Sequence, residues 1–402
     1  MQTKNHSLTV VLPVMFGFFI MGFVDIVGVA THEIKGSLNL SSTMAGLLPN
    51  FIFIWFLICS VPVGLLIRRI GRKAMVQASY LITLVGMLIP LPMLLGVMDI
   101  NLVVYLVTFA FLGIGNTIIQ VSLNPLLTNV VSGERLASSI TMGQFVKALS
   151  SLLGPQIILF CTRSLGDWNW AFVVYSGITL LSMLWLGLTK IPREERAAGH
   201  GVSFGDTFAL LKDSFLGRMF VCILLIVGID VGINFLIPEI FSRVYEYRNP
   251  GNMNTVYFAC RALCSFVCAM MLVRMSSRKI LLWTMVCSIV ACVVMMVLST
   301  VPTAAIAPQA LFIAMFLPVA FATANVFSIV FSLAIGSRPE KTDQIASLLI
   351  MGVAGGGVMT LLIGVMNDFV GIVGGLAVLL ICMGYILFVA LRLNNKAIGE
   401  KQ

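Results

Sequence analysis

Four charged side chains stand inside stretches of sequence that are otherwise apolar: Asp25, Lys147, Asp230 and Arg261. A charge at the centre of a bilayer costs several kcal/mol, so charges in such stretches mark candidate functional sites. Two acids and two bases can neutralise each other in pairs. In a cavity, a carboxyl is shifted one way by desolvation and the other way by a neighbouring cation. One that alternates between a protonated and a paired state can carry a proton. Asp25 is the first candidate for that role and Asp230 the second. The alternative for Asp25 is a permanently ionised partner of Lys147; for Asp230 it is a gate or a packing contact. Lys147 and Arg261 could instead hold an anionic substrate group, the guanidinium by a bidentate fork. In that case the substrate is a sugar acid or another carboxylate.

A neutral polar set accompanies the charges. Asn116, Gln120 and Asn124 fall at i, i+4 and i+8 and so form one stripe along a helix. Gln144, Gln156, Asn234 and Asn325 extend the set. Amides supply both donors and acceptors, which suits a ligand with many hydroxyls such as a sugar. Phe51, Trp55, Phe235 and Tyr257 could stack on the apolar face of such a ring. The plain alternative is hydrogen bonding between helices. His32 and Glu33 fit a solvated rim better than a proton relay. Glu134 with Arg135, and Glu340 with Lys341, read as ion pairs of a gate or as solvated loop charges. The nine cysteines lie mostly in apolar runs, as small buried hydrophobes do. Cys260, Cys264 and Cys268 share a helix face, but no His or acid joins them at ligand spacing, so no metal site is expected. No phosphate-binding Gly-x-x-x-x-Gly-Lys motif is present, no cofactor is expected, and the chain does not read as an enzyme.

These residues need elements to hold them. The 402 residues are 59% hydrophobic and 10% charged, with a mean hydropathy of +1.05. Soluble domains are about 45–50% apolar and about 25% charged. That excludes a soluble enzyme, a disordered chain and a nucleic-acid-binding domain. The apolar runs are long enough to span a bilayer as helices and too long for barrel strands. Twelve are expected, over 8–34, 44–67, 74–97, 101–130, 136–162, 168–190, 218–243, 252–275, 279–300, 305–336, 341–366 and 370–393. The first run carries Asp25 and no small-residue cleavage site, which argues against a cleaved signal. With the N-terminus inside, 19 of the 25 Lys and Arg residues fall in cytoplasmic loops and ends and four in outer ones. That asymmetry predicts two cytoplasmic termini. The only long hydrophilic stretch, 191–217, is then cytoplasmic, and 203–213 within it is expected to form a short helix. The expected organisation is a six-helix bundle over 1–190, a linker over 191–217 and a second bundle over 218–402.

The two halves match at an offset near 205. Gly22-Phe-Val-Asp25 in span one answers Val227-Gly-Ile-Asp230 in span seven. Gly71-Arg72-Lys73 answers Ser277-Arg278-Lys279. Ser132-Gly-Glu134-Arg135 answers Ser337-Arg-Pro-Glu340-Lys341, and Gln120 answers Asn325. Several matches in order indicate a six-plus-six repeat, which predicts a midplane substrate site and alternating access.

Twelve spans, this repeat and a central cytoplasmic loop resemble the major facilitator superfamily. Its loop signature is similar to Gly64-Leu-Leu-Ile-Arg68-Arg69-Ile-Gly71-Arg72-Lys73, although Arg68 stands where the family usually has an acid. Phe18-Phe-Ile-Met-Gly22, Ala45-Gly-Leu, Asn124-Pro125-Leu and Glu134-Arg135-Leu136 resemble the fucose permease branch, whose members are sugar:proton symporters. The resemblance implies an all-α membrane fold of two pseudo-symmetric six-helix halves. It also implies that spans five and eight, which carry Lys147 and Arg261, meet where the halves face each other. The departures matter. The branch's fucose transporters carry an acid where Gln120 stands, and an amide cannot carry a proton. Their span-one acid lies a few residues beyond Asp25. Proton coupling must therefore rest on this chain's own acids. The resulting expectation is a monomeric carrier in a bacterial inner membrane that imports a monosaccharide with protons. The alternative is a proton-coupled carrier of a sugar acid or another organic anion. Export of apolar compounds and a non-transporting sensor fit less well. The first would need an apolar cavity, and the second a soluble signalling domain.

Overall fold

A computed structural model describes residues 8–40, 42–131, 135–191, 204–247, 252–300 and 306–393. Among the described residues there are seventeen α-helices and no strand. They are α1 (Leu8–Met21), α2 (Val27–Leu38), α3 (Ser42–Ile70), α4 (Arg72–Leu88), α5 (Leu91–Leu94), α6 (Leu102–Val130), α7 (Leu136–Phe160), α8 (Trp170–Leu188) and α9 (Phe204–Ala209). Then follow α10 (Ser214–Arg243), α11 (Asn252–Met271), α12 (Ser277–Ser299), α13 (Ile306–Ala314), α14 (Phe316–Ser337), α15 (Thr342–Met351), α16 (Gly355–Val370) and α17 (Ile372–Arg392). Eleven helical stretches among the described residues are long and apolar enough to cross a membrane, and Thr9–Asp25 is a shorter apolar one. Each predicted span has its counterpart. The first, tenth and eleventh are interrupted: by a 3-10 turn at Gly22–Ile26, a break at Met315, and a 3-10 turn at Gly352–Ala354. The short helix expected near 203–213 is α9 with the 3-10 turn Leu210–Lys212.

By contact the chain forms two compact units. The first takes Met1–Ser132, Val146–Phe208 and Ala346–Met351; the second takes Gly133–Phe145, Ala209–Ile345 and Gly352–Gln402. Their internal packing follows one plan. In the first unit α4 packs on α6 and α8, α3 on α6, and α1 on α6 and α8. In the second, α12 packs on α14 and α17, α11 on α14, and α10 on α14 and α17. These are the same partnerships shifted by the sequence offset. The turns agree as well. Gly166 (φ +80°) ends the π-turn after α7, and Gly371 (φ +77°) ends α16, 205 residues later. Both take a left-handed backbone that favours glycine.

α6 and α14 are the interior helices: every residue from Gly115 to Leu127, and from Ala322 to Phe331, is buried. The outside is apolar as well, with Leu181 67%, Leu361 63% and Ile381 73% exposed. Such a surface is stable against lipid tails and not against water.

Basic residues after α3 tie helix ends together. Arg72 Nη1 donates to the Pro125 carbonyl (3.2 Å), Thr128 Oγ1 (3.1 Å) and Asn129 Oδ1 (2.6 Å) at the end of α6. Lys73 Nζ donates to the Gly187 (3.0 Å) and Thr189 (2.8 Å) carbonyls at the end of α8. Cations belong at helix C-termini, where carbonyls lack intrahelical donors and the dipole is negative. In the second unit Arg278 Nη2 donates to the Leu391 carbonyl (3.4 Å) at the end of α17.

Candidate functional site

Asp25 lies in the 3-10 turn Gly22–Ile26. A close approach sets this turn in place. A Cβ on Gly22 would stand 2.6 Å from Ser150 Cβ and 2.7 Å from the Lys147 carbonyl oxygen. Only glycine lets span one lie directly against α7. Three residues further on, the Ser151 hydroxyl donates to Asp25 Oδ2. The same hydroxyl lies 3.1 Å from the Lys147 carbonyl oxygen. One hydroxyl has one proton to give. With Asp25 ionised, that proton points to the carboxylate. With Asp25 protonated, the acid donates to Ser151 and the hydroxyl turns to the Lys147 carbonyl. Either arrangement keeps the Asp25–Ser151 hydrogen bond without movement of heavy atoms. Among the described residues neither Asp25 nor the half-buried Lys147 is in an ion pair.

The amide stripe stands on α6, buried in the first unit. Asn116 Nδ2 donates to the Met21 carbonyl (2.8 Å), just before the turn that holds Asp25. Gln120 Nε2 donates to Asn116 Oδ1 (2.7 Å), and Asn124 Nδ2 to the Gln120 carbonyl (3.0 Å). Much of the stripe's capacity is therefore spent inside the protein. Asn124 Oδ1 and Trp55 Nε1 are buried with no protein partner among the described residues. Gly113 makes room for the Trp55 ring, since a Cβ there would lie 2.8 Å from Trp55 Cδ1. Phe51 packs edge-on to Trp55 at 6.4 Å.

The second unit holds a different cluster. Asp230 Oδ2 and Arg261 Nη1 form an ion pair at 2.8 Å. The buried Tyr257 hydroxyl lies 3.4 Å from Asp230 Oδ1 and 2.9 Å from Thr323 Oγ1, with the Asp230 contact donated by tyrosine. Asn234 Nδ2 donates to the Asp230 carbonyl (2.7 Å), and Asn254 Nδ2 to the Asn234 carbonyl (3.0 Å). On α14, Asn325 Nδ2 donates to the Phe321 carbonyl and, at 3.4 Å, to Thr284 Oγ1. The Oδ1 atoms of Asn234, Asn254 and Asn325 are buried acceptors without a protein partner among the described residues.

The repeat-related acids therefore differ in environment. Asp25 faces a hydroxyl, and Asp230 faces a guanidinium and a phenol. The first-unit position of Ser151 is taken by Gly356 in the second unit, at the offset of 205. No hydroxyl is available to Asp230 there.

The remaining candidates are placed as follows. Gln144 is buried on α7 in the second unit's segment. Phe235 and Gln156 are exposed. Glu134 lies outside the described residues. Arg135 and Glu340 are exposed, and among the described residues neither they nor Lys341 form an ion pair. The ion pair next to Glu340 joins Arg338 to Asp213. Sequence reasoning missed Ser151, Thr323, Thr284 and Asn254 as partners of the candidate residues. Hydroxyls that bond their own helix are common in membrane helices, and spacing alone does not single out the one that faces an acid.

Residues 14–358 match the family model described as Major Facilitator Superfamily. The chain is 22% identical over 398 residues to the glucose/galactose transporter of Brucella abortus, covering 93% of this chain and 91% of that one. It is similar in structure to the Escherichia coli fucose:proton symporter FucP (TM-score 0.79, 17% identity, 95% of this chain and 97% of that one). It is also similar to the human organic anion transporter MFSD10 (TM-score 0.77, 13% identity, 97% and 100%). Sequence identities this low establish a shared fold.

Proposed function

Because the chain belongs to the major facilitator superfamily, a family of membrane transporters and not of enzymes, we propose that it is a secondary active transporter that imports a monosaccharide with protons by alternating access. The observation that carries this reading is the setting of Asp25. It is an acid inside a membrane span, held by the Ser151 hydroxyl in a geometry that serves both protonation states, with no ion pair among the described residues. Asp230, paired with Arg261, is suited to holding position or to changing partner as the protein moves. Asn124, Trp55, Asn234 and Asn325 carry polar atoms free to meet sugar hydroxyls. Gln120, Asn116, Gln144 and Tyr257 are assigned as further substrate-binding or orienting groups. The sugar transport named for the Brucella relative, and the sugar:proton symport named for FucP, agree with this reading. Both termini are assigned to the cytoplasm by loop charge, the membrane to a bacterial inner membrane, and the working unit to a monomer. Glu134, Arg135, Glu340 and Lys341 keep the proposed gating role as charges of equivalent loops. Lys147 supports a second reading. A half-buried ammonium outside any ion pair among the described residues would suit a carboxylate-bearing substrate, and one structural neighbour is an organic anion transporter. Uptake into proteoliposomes of neutral hexoses against the matching sugar acids, with Lys147→Gln beside the parent, separates the two. A neutral sugar carried equally well by both proteins excludes the anion site.

A further inference from the structure

Three arginines lie at one end of the second unit. Arg218 stands near the start of α10, Arg338 just past α14, and Arg392 at the end of α17. Together they line a cavity of about 440 Å³. Arg218 and Arg392 also line an adjoining crevice of about 700 Å³ that reaches Tyr385. Among the described lining residues the acid is Asp213. Its Oδ1 caps α10 by accepting from the Phe215 (2.8 Å) and Leu216 (3.3 Å) amides, and its Oδ2 pairs with Arg338. Arg218 spends its Nε on the Ser214 carbonyl at 2.8 Å. Arg392 lies over the Phe388 ring, 4.3 Å from its centroid. Among the described residues three cations stand against one anion there, and arginine forks match phosphate oxygens in pairs.

The position of the crevice selects the kind of phosphate. It lies at the ends of two membrane-crossing stretches, Ser214–Arg243 and Ile372–Arg392. The wall continues along α17 as an exposed apolar face, with Phe388 44% and Leu391 60% exposed. A charged pocket above an apolar outer face fits an amphiphile. We propose that this crevice binds the phosphate headgroup of an anionic phospholipid, with its acyl chains along the outer face of α17.

Native mass spectrometry of the purified full-length protein tests this, with phosphatidylglycerol, phosphatidylcholine and inorganic phosphate as probes. Phosphatidylglycerol should bind at least tenfold more tightly than phosphatidylcholine. The double change Arg218→Gln with Arg392→Gln should remove that preference, while Arg163→Gln, an exposed cation elsewhere, should leave it intact. Arg392→Gln alone, at an exposed helix end, is the variant to read if the double change elutes as aggregate; it should weaken phosphatidylglycerol binding several-fold. Equal binding of the two lipids would overturn the proposal, as would a preference that survives in these variants. Binding of inorganic phosphate alone, with displacement of phosphatidylglycerol at millimolar concentration, would overturn the lipid assignment in favour of a soluble phosphate ligand.

Discussion

The Asp230–Arg261 pair permits a quantitative prediction. Oδ2 and Nη1 are 2.8 Å apart, and the side chains are 17% and 14% exposed. The charge centres are then about 4 Å apart, and at an effective permittivity of ~20 their attraction is about 4 kcal/mol. Removing one partner of a poorly solvated ion pair costs about 3–5 kcal/mol. Arg261→Met removes the guanidinium partner of Asp230 and keeps the Tyr257 hydroxyl, at 3.4 Å, among its contacts. The expected loss is about 3 kcal/mol or more. Asp230→Asn should cost a similar amount or somewhat less, because the Arg261 stem can carry its head toward solvent. Combining the two changes removes both charges, and the double variant should be more stable than the sum of the single effects by about 2 kcal/mol or more. Equilibrium unfolding in mixed detergent micelles at fixed composition measures all four corners of this cycle. A coupling energy under about 0.5 kcal/mol would refute the idea that the pair is electrostatically engaged.

Other expectations follow from single contacts. Gly22→Val should destabilise by about 1–3 kcal/mol through overpacking against Lys147 and Ser150. Gly177→Ala, where an added Cβ meets nothing within 4 Å, should be neutral or gain a few tenths of a kcal/mol. Thermal melts of the two variants side by side check both. Arg72→Gln removes a charged donor shared by three acceptors at the end of α6 and should cost about 2–3 kcal/mol. Arg72→Lys should recover part of this in the same assay, to the extent that the shorter side chain can bring its three ammonium N–H donors to the same acceptors. Ser151→Ala should slow proton-coupled uptake while leaving sugar-driven exchange without net proton movement closer to normal, as tracer counterflow will show.

The spans were legible because length and apolarity are dictated by the bilayer, and the repeat because Asp25 and Asp230, Gln120 and Asn325, and the Arg72 and Arg278 loops recur in one order. The structure extends the repeat to features that the sequence match did not include. Gly166 and Gly371 take the same left-handed turn, and α4–α6 packing recurs as α12–α14. The interruption at Gly22–Ile26 was not legible. It depends on a contact with α7, more than 120 residues away, and a glycine in an apolar run gives no sign of what approaches it. The ion pairing was half legible. Four intramembrane charges suggested two pairs, and Arg261 is bound to Asp230, whereas Lys147 is not in an ion pair with Asp25 among the described residues. Which cation reaches which acid depends on helix rotation, which spacing within one helix does not report. In the sequence Arg72 and Lys73 counted toward orientation, the repeat and the loop signature, and none of these says what the two side chains bind. Their hydrogen bonds to the ends of α6 and α8 required the packed helices.

The central claim is that Asp25 carries a proton as a neutral sugar enters. Proton influx into proteoliposomes, recorded on addition of each member of a panel of hexoses and sugar acids, tests it most directly. Acidification is expected with at least one neutral hexose, abolished in Asp25→Asn while that sugar still exchanges across the membrane. Acidification that persists undiminished in Asp25→Asn would contradict it, as would acidification confined to sugar acids and lost in Lys147→Gln.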